Sequence, residues 1–160
     1  MVKLYKHADN EILYWETWNI KGEDKAIVHW GTLGEKGDDI EVKSVPSASF
    51  KDQIQKEIDS KLSEGYKTID IDDHFTLIIE FKVNGMGIVE DLEKRYRLED
   101  RMGETLGWTG LGKCDGGSMG SGTMEICCYV VDFKIAKRVI EQDLKDTEFS
   151  NYTRIYDENE

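Results

Sequence analysis

The hydrophobic pattern of the chain changes at Asp70-Ile71-Asp72-Asp73, and this change most constrains the fold. Before it, apolar and aromatic residues occur in short strand-like runs with one helix-like repeat. After it, strand-like and helix-like segments alternate to residue 156. A chain of 160 residues is long enough for two small domains. We therefore predict one domain over residues 1–70 and a second over residues 74–160, both of the α+β class.

A hairpin is the clearest feature of the first half. Residues 13–20 and 25–30 contain many aromatic and β-branched side chains, which favour strands. The polar run Lys21-Gly22-Glu23-Asp24 between them is typical of a turn. Residues 40–42 alternate between apolar and charged side chains and predict a third strand. We therefore expect an antiparallel sheet.

One helix is predicted after these strands. Apolar residues recur there every four positions, which places them on one helix face. They are Phe50, Ile54, Ile58 and Leu62. Ser49 can cap the start of this helix, and Gly65 is typical of the residue that ends one.

The second half alternates strands and helices. Its predicted elements are a strand at 75–83, a helix at 88–106, strands at 108–114 and 124–131, a helix at 133–144 and a strand at 151–156. Gly107 is placed to end the first helix, and Asp132 to cap the second. The order βαββαβ is that of ferredoxin-like domains. We therefore expect a ferredoxin-like α+β domain.

The first half resembles a known family. It carries an aromatic strand, a Trp-Gly signature, further glycines and a helix closed by glycine. These features are Tyr14-Trp15-Glu16-Thr17-Trp18, Val28-His29-Trp30-Gly31-Thr32-Leu33-Gly34, Gly37, Phe50, Lys61 and Gly65-Tyr66. Residues 1–70 are thus similar to the WGR domain, a module found in poly(ADP-ribose) polymerases and in bacterial proteins. The resemblance implies a WGR-like antiparallel sheet with one helix, and in the polymerases the module binds near DNA breaks.

The signature differs from the family at one position. In the polymerases the tryptophan lies against the sugar–phosphate backbone and the arginine makes polar contacts, but here Thr32 replaces the arginine. Threonine lacks the guanidinium fork that binds phosphate, and residues 1–70 contain no arginine. We therefore expect Trp30, Gly31 and Thr32 to contact a protein partner, with nucleic-acid association as an alternative. A structural role for Trp30 in anchoring the hairpin is also open.

Residues 115–122 are predicted to form a long glycine- and serine-rich connection between two strands. Loops on a rigid sheet often carry binding residues, so we predict that Asp115 and Ser118 contact a partner. A flexible connection without that role is the simpler alternative. Residues 106–110 and 120–124 beside it resemble segments of small uncharacterised bacterial proteins, and this resemblance implies no activity.

Motifs for catalysis and cofactors are weak. Residues 107–114 nearly match a phosphate-binding P-loop, but Cys114 stands where the magnesium-binding hydroxyl belongs, and a helix is predicted where the motif needs a strand. A nucleotide-binding protein or enzyme that uses Gly107–Cys114 is kept as an alternative. The carboxylates of residues 70–73 with His74 are more typical of a solvated linker than of a metal site. We expect no catalytic residues, no metal and no cofactor.

The three cysteines, Cys114, Cys127 and Cys128, are too few for a disulfide framework. Cys127 and Cys128 are adjacent in a predicted strand, so their side chains point to opposite faces. We expect reduced, structural thiols. A redox pair that includes Cys114 is the alternative if two strands bring the cysteines together.

The net charge of −12 is spread along the chain. Residues 1–73 carry ten basic and sixteen acidic side chains, and residues 74–160 carry eleven and seventeen. Such a charge repels polyanions and attracts basic proteins. No apolar run is long enough to span a membrane and no secretory signal is visible. We therefore expect a cytoplasmic, non-catalytic bacterial protein, either an immunity protein that binds a basic toxin or a regulator with a basic partner.

Overall fold

The computed structural model describes residues 1–160, which divide into two compact units, Met1–Ile69 and Asp70–Glu160. Together the units contain two four-stranded antiparallel sheets and three α-helices. The predicted α+β class is therefore confirmed. None of the helices combines the length and the apolar character that crossing a membrane requires.

Unit 1 is an antiparallel meander followed by a helix. Its elements are β1 (Val2–Ala8), β2 (Glu11–Asn19), β3 (Lys25–Thr32), β4 (Asp38–Lys43) and α1 (Phe50–Ser63), and the strands lie in chain order. The predicted hairpin is the β2–β3 pair, in which Trp15 lies opposite Trp30. Strand β1 has no counterpart among the predicted elements, because its interior positions include Lys3, Lys6 and His7.

Helix α1 begins where the sequence predicts, since the Ser49 side chain accepts a hydrogen bond from the backbone N–H of Asp52 at 3.1 Å. Its apolar side chains cover one face of the sheet. The core contains Leu4, Trp15, Ala26, Val28, Val42, Phe50 and Ile54, with Val2, Trp30, Ile58 and Tyr66 at its margin. Leu62 does not join it and is 49% exposed. Each step of four residues overshoots a full helical turn by about 40°, so a series of such steps rotates away from the sheet.

Unit 2 begins with a short 3₁₀ turn and continues with alternating strands and helices. The elements are the turn Ile71–Asp73, then β5 (Phe75–Lys82), α2 (Val89–Trp108), β6 (Gly112–Gly120), β7 (Thr123–Val130), α3 (Phe133–Leu144) and β8 (Arg154–Asp157). The strands are all antiparallel in the order β6-β7-β5-β8. Helices α2 and α3 pack on this sheet and on each other. Buried and half-buried residues alternate along β7, because its second face is not covered to the same extent.

The region between α2 and β7 differs from its prediction. Helix α2 continues through Gly107 to Trp108, and the strand expected at residues 108–114 instead runs from Gly112 to Gly120. Most of the expected connection at 115–122 is therefore strand, and only Ser121-Gly122 forms the turn. A side chain at Gly117 would lie 3.0 Å from Glu99 Oε1 of α2 and nearer still to the Glu125 carbonyl. Glycine is used here for close packing rather than for a flexible loop.

Candidate binding surface

Trp30 lies near the end of β3 and is half-buried against the margin of the unit 1 core. Its neighbour across the sheet on β2 is Trp15, which is 3% exposed and belongs to that core. Thr32 is the last residue of β3 and is half-buried. These contacts give Trp30 a packing role in the hairpin and leave only part of its ring accessible to a partner.

Gly31 and Gly37 allow the loop of residues 33–37 to fold back across the hairpin. A Cβ on Gly31 would lie 2.9 Å from Gly37 Cα and 3.0 Å from the Tyr14 hydroxyl. A Cβ on Gly37 would overlap the Trp30 carbonyl oxygen, and Gly37 has a φ of +69°, in the left-handed region that favours glycine. Both positions therefore require glycine, because a side chain there would collide with the neighbouring backbone and with Tyr14.

Beneath this loop lies a buried polar cluster, formed by Tyr14, Glu16 and His29, whose residues are 2%, 3% and 1% exposed. His29 Nδ1 lies 2.8 Å from Glu16 Oε1, and its Nε2 lies 2.5 Å from the Lys36 carbonyl oxygen. The Tyr14 hydroxyl donates to the carbonyls of Glu35 and Lys36 at 2.9 Å. The Tyr14 oxygen also lies 3.1 Å from His29 Nε2, so the imidazole links Tyr14, Glu16 and the Lys36 carbonyl in one network.

A lysine at the edge of the cluster offsets the negative charge of Glu16. Lys3 Nζ lies 3.3 Å from Glu16 Oε2. Burial, and then the charge of Glu16, raise the pKa values of Tyr5 and Tyr14 above the ordinary tyrosine value, so both hydroxyls stay protonated and able to donate. Because its three members are almost completely enclosed, the cluster fastens the loop to the sheet and presents no open site to a ligand.

The predicted contact residues of the second half lie on β6. Asp115 sits at the irregularity in the pairing between Cys114 and Gly116, is exposed, and has its carboxylate 3.6 Å from Lys113 Nζ. Ser118 is also exposed and lies opposite Glu125 of β7. The five predicted contact residues are thus divided between the two units, with Trp30, Gly31 and Thr32 in unit 1.

The segment Gly107–Cys114 makes a compact connection between α2 and β6. The backbone N–H of Leu111 donates to the carbonyl of Leu106 at 3.0 Å, which closes the end of the helix. Leu111 and Gly112 are buried. A helix precedes the segment and a strand follows it, the reverse of the P-loop context.

The acidic residues before β5 also make a local structure. The Asp70 carboxylate accepts a hydrogen bond from the backbone N–H of Asp72 at 3.1 Å and so begins the 3₁₀ turn. The structure contains no group of three or more histidine, cysteine, aspartate or glutamate side chains arranged to hold a metal ion.

An apolar surface that the sequence did not predict lies where α2 begins. Met86, Ile88 and Val89 are 71%, 60% and 67% exposed, and Met119 lies beside them at the end of β6. We call these four residues the α2 entry surface. Exposed apolar residues are common singly, but a contiguous group is typical of an interaction site.

The loop that carries this surface is fixed to the turn between β6 and β7. The backbone N–H of Val83 donates to the Gly122 carbonyl at 3.0 Å, and that of Gly122 donates to the Gly85 carbonyl at 2.7 Å. A Cβ on Gly120 would lie 3.3 Å from Met86 Cε, and one on Gly87 would contact the Met119 side chain. Each methionine side chain therefore lies beside a glycine of the opposite segment.

Helix α2 begins without the usual polar cap. Ile88 occupies the N-cap position, where serine, threonine, aspartate or asparagine is preferred. The Asp91 carboxylate accepts a hydrogen bond from the Ile88 backbone N–H at 3.0 Å, but the Ile88 side chain cannot cap the helix in return. The capping preference is thus broken at an exposed apolar residue.

The α2 entry surface adjoins negative charge. Glu90 and Asp91 lie in the first turn of α2, directly after Val89. Carboxylates there also stabilise the helix through its dipole. Two carboxylates therefore lie next to the exposed Ile88 and Val89 in the chain. Comparison with family models, with curated proteins and with solved structures finds no match to this chain.

Proposed function

We propose that this chain is a non-catalytic binding protein whose partner is a basic protein with an apolar contact face. The observation that carries the proposal is the α2 entry surface, in which three apolar side chains within four residues of the start of α2 are 60–71% exposed. Burying such side chains against a partner contributes roughly 25 cal/mol per Å² of apolar area. The fixed loop also reduces the ordering cost of binding.

Charge supports a basic partner. Each half of the chain has a charge of about −6, and Glu90 and Asp91 adjoin the surface. Complementary charge accelerates association and disfavours polyanions, which the chain repels. An immunity protein that masks a basic toxin and a regulator of a basic protein both need an acidic contact surface of this kind.

We further propose a WGR-like unit 1 and a ferredoxin-like unit 2. A four-stranded meander with one following helix, and Trp30-Gly31 near the end of β3, support the first assignment. The antiparallel strand order β8-β5-β7-β6, with α2 and α3 packed on the sheet, supports the second. The packing of Trp30 and the presence of Thr32 do not favour nucleic-acid binding.

A cationic amphipathic peptide of leucine and lysine tests the proposed surface. We expect it to shift the backbone amide resonances of residues 84–91 and 119–122 in the ¹⁵N-labelled full chain. Replacing Met86 and Val89 together with serine should weaken binding by roughly tenfold or more, because two apolar contacts are lost.

The matched control replaces Val45 and Leu62, which are 48% and 49% exposed in unit 1, with serine. This variant should bind the peptide as the parent does. Peptide binding that maps to another region, or that the Met86 and Val89 substitutions leave unchanged, would contradict the proposal. Tight binding of nicked duplex DNA that depends on Trp30 would instead support the nucleic-acid alternative.

A further inference from the structure

Cys114 and Cys128 lie directly opposite each other on β6 and β7. The Cα atoms of opposed residues in antiparallel strands are about 4.5–5.5 Å apart, within the range of about 4.4–6.8 Å that a disulfide spans. Both cysteines are free thiols in the structure. A bond between them would need no change of strand register.

The two thiols have different environments. Cys128 is completely buried, whereas Cys114 is half-buried on the edge strand and closer to solvent. The hydrogen bond from the Cys128 thiol lowers the pKa of Cys114 below the ordinary cysteine value, against the opposing effects of burial and of the Glu99 and Asp115 charges. The same hydrogen bond and burial raise the pKa of Cys128. Cys114 is therefore the more reactive nucleophile, and Cys128 is its proton-bearing neighbour.

Cys127 is excluded from this pair by the pleat of β7. It lies opposite Gly116, and its side chain points to the other face of the sheet from that of Cys128. Burial, and then the charge of Asp115, raise the pKa of Cys127. The chain therefore offers an internal control, a third cysteine in the same strand without a thiol opposite it.

We propose that Cys114 and Cys128 form a reversible redox site that a hydroperoxide oxidises to a disulfide between β6 and β7. The Cys114 thiolate attacks one peroxide oxygen, the O–O bond breaks, and the leaving oxygen takes up a proton to become water when the oxidant is hydrogen peroxide. The Cys128 sulfur then attacks the sulfenic acid on Cys114, and a second water leaves as the S–S bond forms. Two thiols are oxidised and one peroxide is reduced, and a dithiol reductant reverses the change.

This site is independent of the proposed partner binding, because neither thiol belongs to the α2 entry surface. It gives the edge strand β6 a covalent link to β7 that depends on the redox state of its surroundings. The bond closes a short loop within one hairpin, so oxidation would restrict opening of that hairpin.

Treatment of the reduced full chain with hydrogen peroxide, followed by intact-mass and thiol analysis in denaturant, tests the inference. We expect a loss of about 2 Da as two hydrogens leave, and a fall from three free thiols to one. Peptide mapping should join Cys114 to Cys128, and dithiothreitol should restore all three thiols.

Single cysteine substitutions distinguish a Cys114–Cys128 disulfide from a bond to Cys127 or a bond between two chains. Cys127→Ser should still form the bond, whereas Cys114→Ser and Cys128→Ser should not. In Cys128→Ser the sulfenic acid on Cys114 has no resolving thiol, so dimedone should label it. A bond that maps to Cys127, a disulfide between two chains, or three remaining thiols in the parent after peroxide treatment would overturn the inference.

Discussion

Replacing Gly37 with alanine is expected to lower the free energy of unfolding of unit 1 by about 3 kcal/mol or more. A Cβ at this position would overlap the Trp30 carbonyl oxygen and the Tyr14 hydroxyl, and the φ of +69° is unfavourable for any residue with a side chain. The loop of residues 33–37 would have to lift, which would separate the Glu35 and Lys36 carbonyls from the buried donors below.

The variant Gly22→Ala measures the cost of the left-handed backbone conformation in the absence of a steric clash. Gly22 has a φ of +81°, but a Cβ there would meet no atom within 4 Å. Its substitution should therefore cost only the left-handed strain of about 1 kcal/mol. Urea unfolding followed by tryptophan fluorescence measures both variants, since Trp15, Trp18 and Trp30 all lie in unit 1. Equal losses in the two variants would mean that Gly37 does not hold the loop against the sheet.

The elements predicted best are those whose signals are local. Helix α1 has a capping serine and regularly spaced apolar residues, and α3 has Asp132 at its start, whose side chain accepts from the Ile135 N–H at 2.8 Å. Turn chemistry likewise separates β2 from β3. Each of these signals acts within a few residues, so it does not depend on how the sheets assemble.

The prediction of a long loop at the glycine-rich residues 115–122 was wrong for a physical reason. Glycine favours loops in isolation, but at Gly117 it permits β6 to pass close to α2 and β7. Gly107 lies in the last turn of α2, where a side chain would meet only open space. Tertiary packing therefore sets the outcome at Gly117, whereas at Gly107 the helix simply continues for one more residue because nothing in the structure requires it to end there.

The candidate sites, like the glycine-rich region, depend more on tertiary packing than on local sequence signals, with one exception. The partial burial of Trp30 depends on how α1 covers the sheet, and the pairing of Cys114 with Cys128 depends on a register shift at Asp115. Ile88 is different, because the sequence predicted it as the first residue of the helix at 88–106, whereas it is the exposed N-cap residue of α2. An apolar residue at the expected capping position, directly before Val89 and an acidic turn, was a usable signal for exposure.

His29→Leu is expected to lower the free energy of unfolding of unit 1 by about 3 kcal/mol. The substitution removes the two ring nitrogens that contact Glu16 and the Lys36 carbonyl, but leaves the Glu16 side chain only 4% exposed. Lys3 alone would then balance that buried carboxylate. The loss of polar contacts to a buried carboxylate, which keeps only Lys3 as its ionic partner, dominates this effect, because leucine fills much of the imidazole volume.

The double variant Glu16→Leu, His29→Leu distinguishes a charge effect from a packing effect. If the loss arises from the buried carboxylate left without His29, removing both side chains should restore about 2 kcal/mol or more relative to the sum of the single variants. Lys25→Leu provides the matched control, because its bridge to Glu41 on the same sheet is exposed and should contribute little. Additive losses in urea unfolding would assign the cluster's stability to packing. A restored double variant would show that His29 stabilises the buried Glu16 carboxylate beneath the loop and so fixes the loop's position.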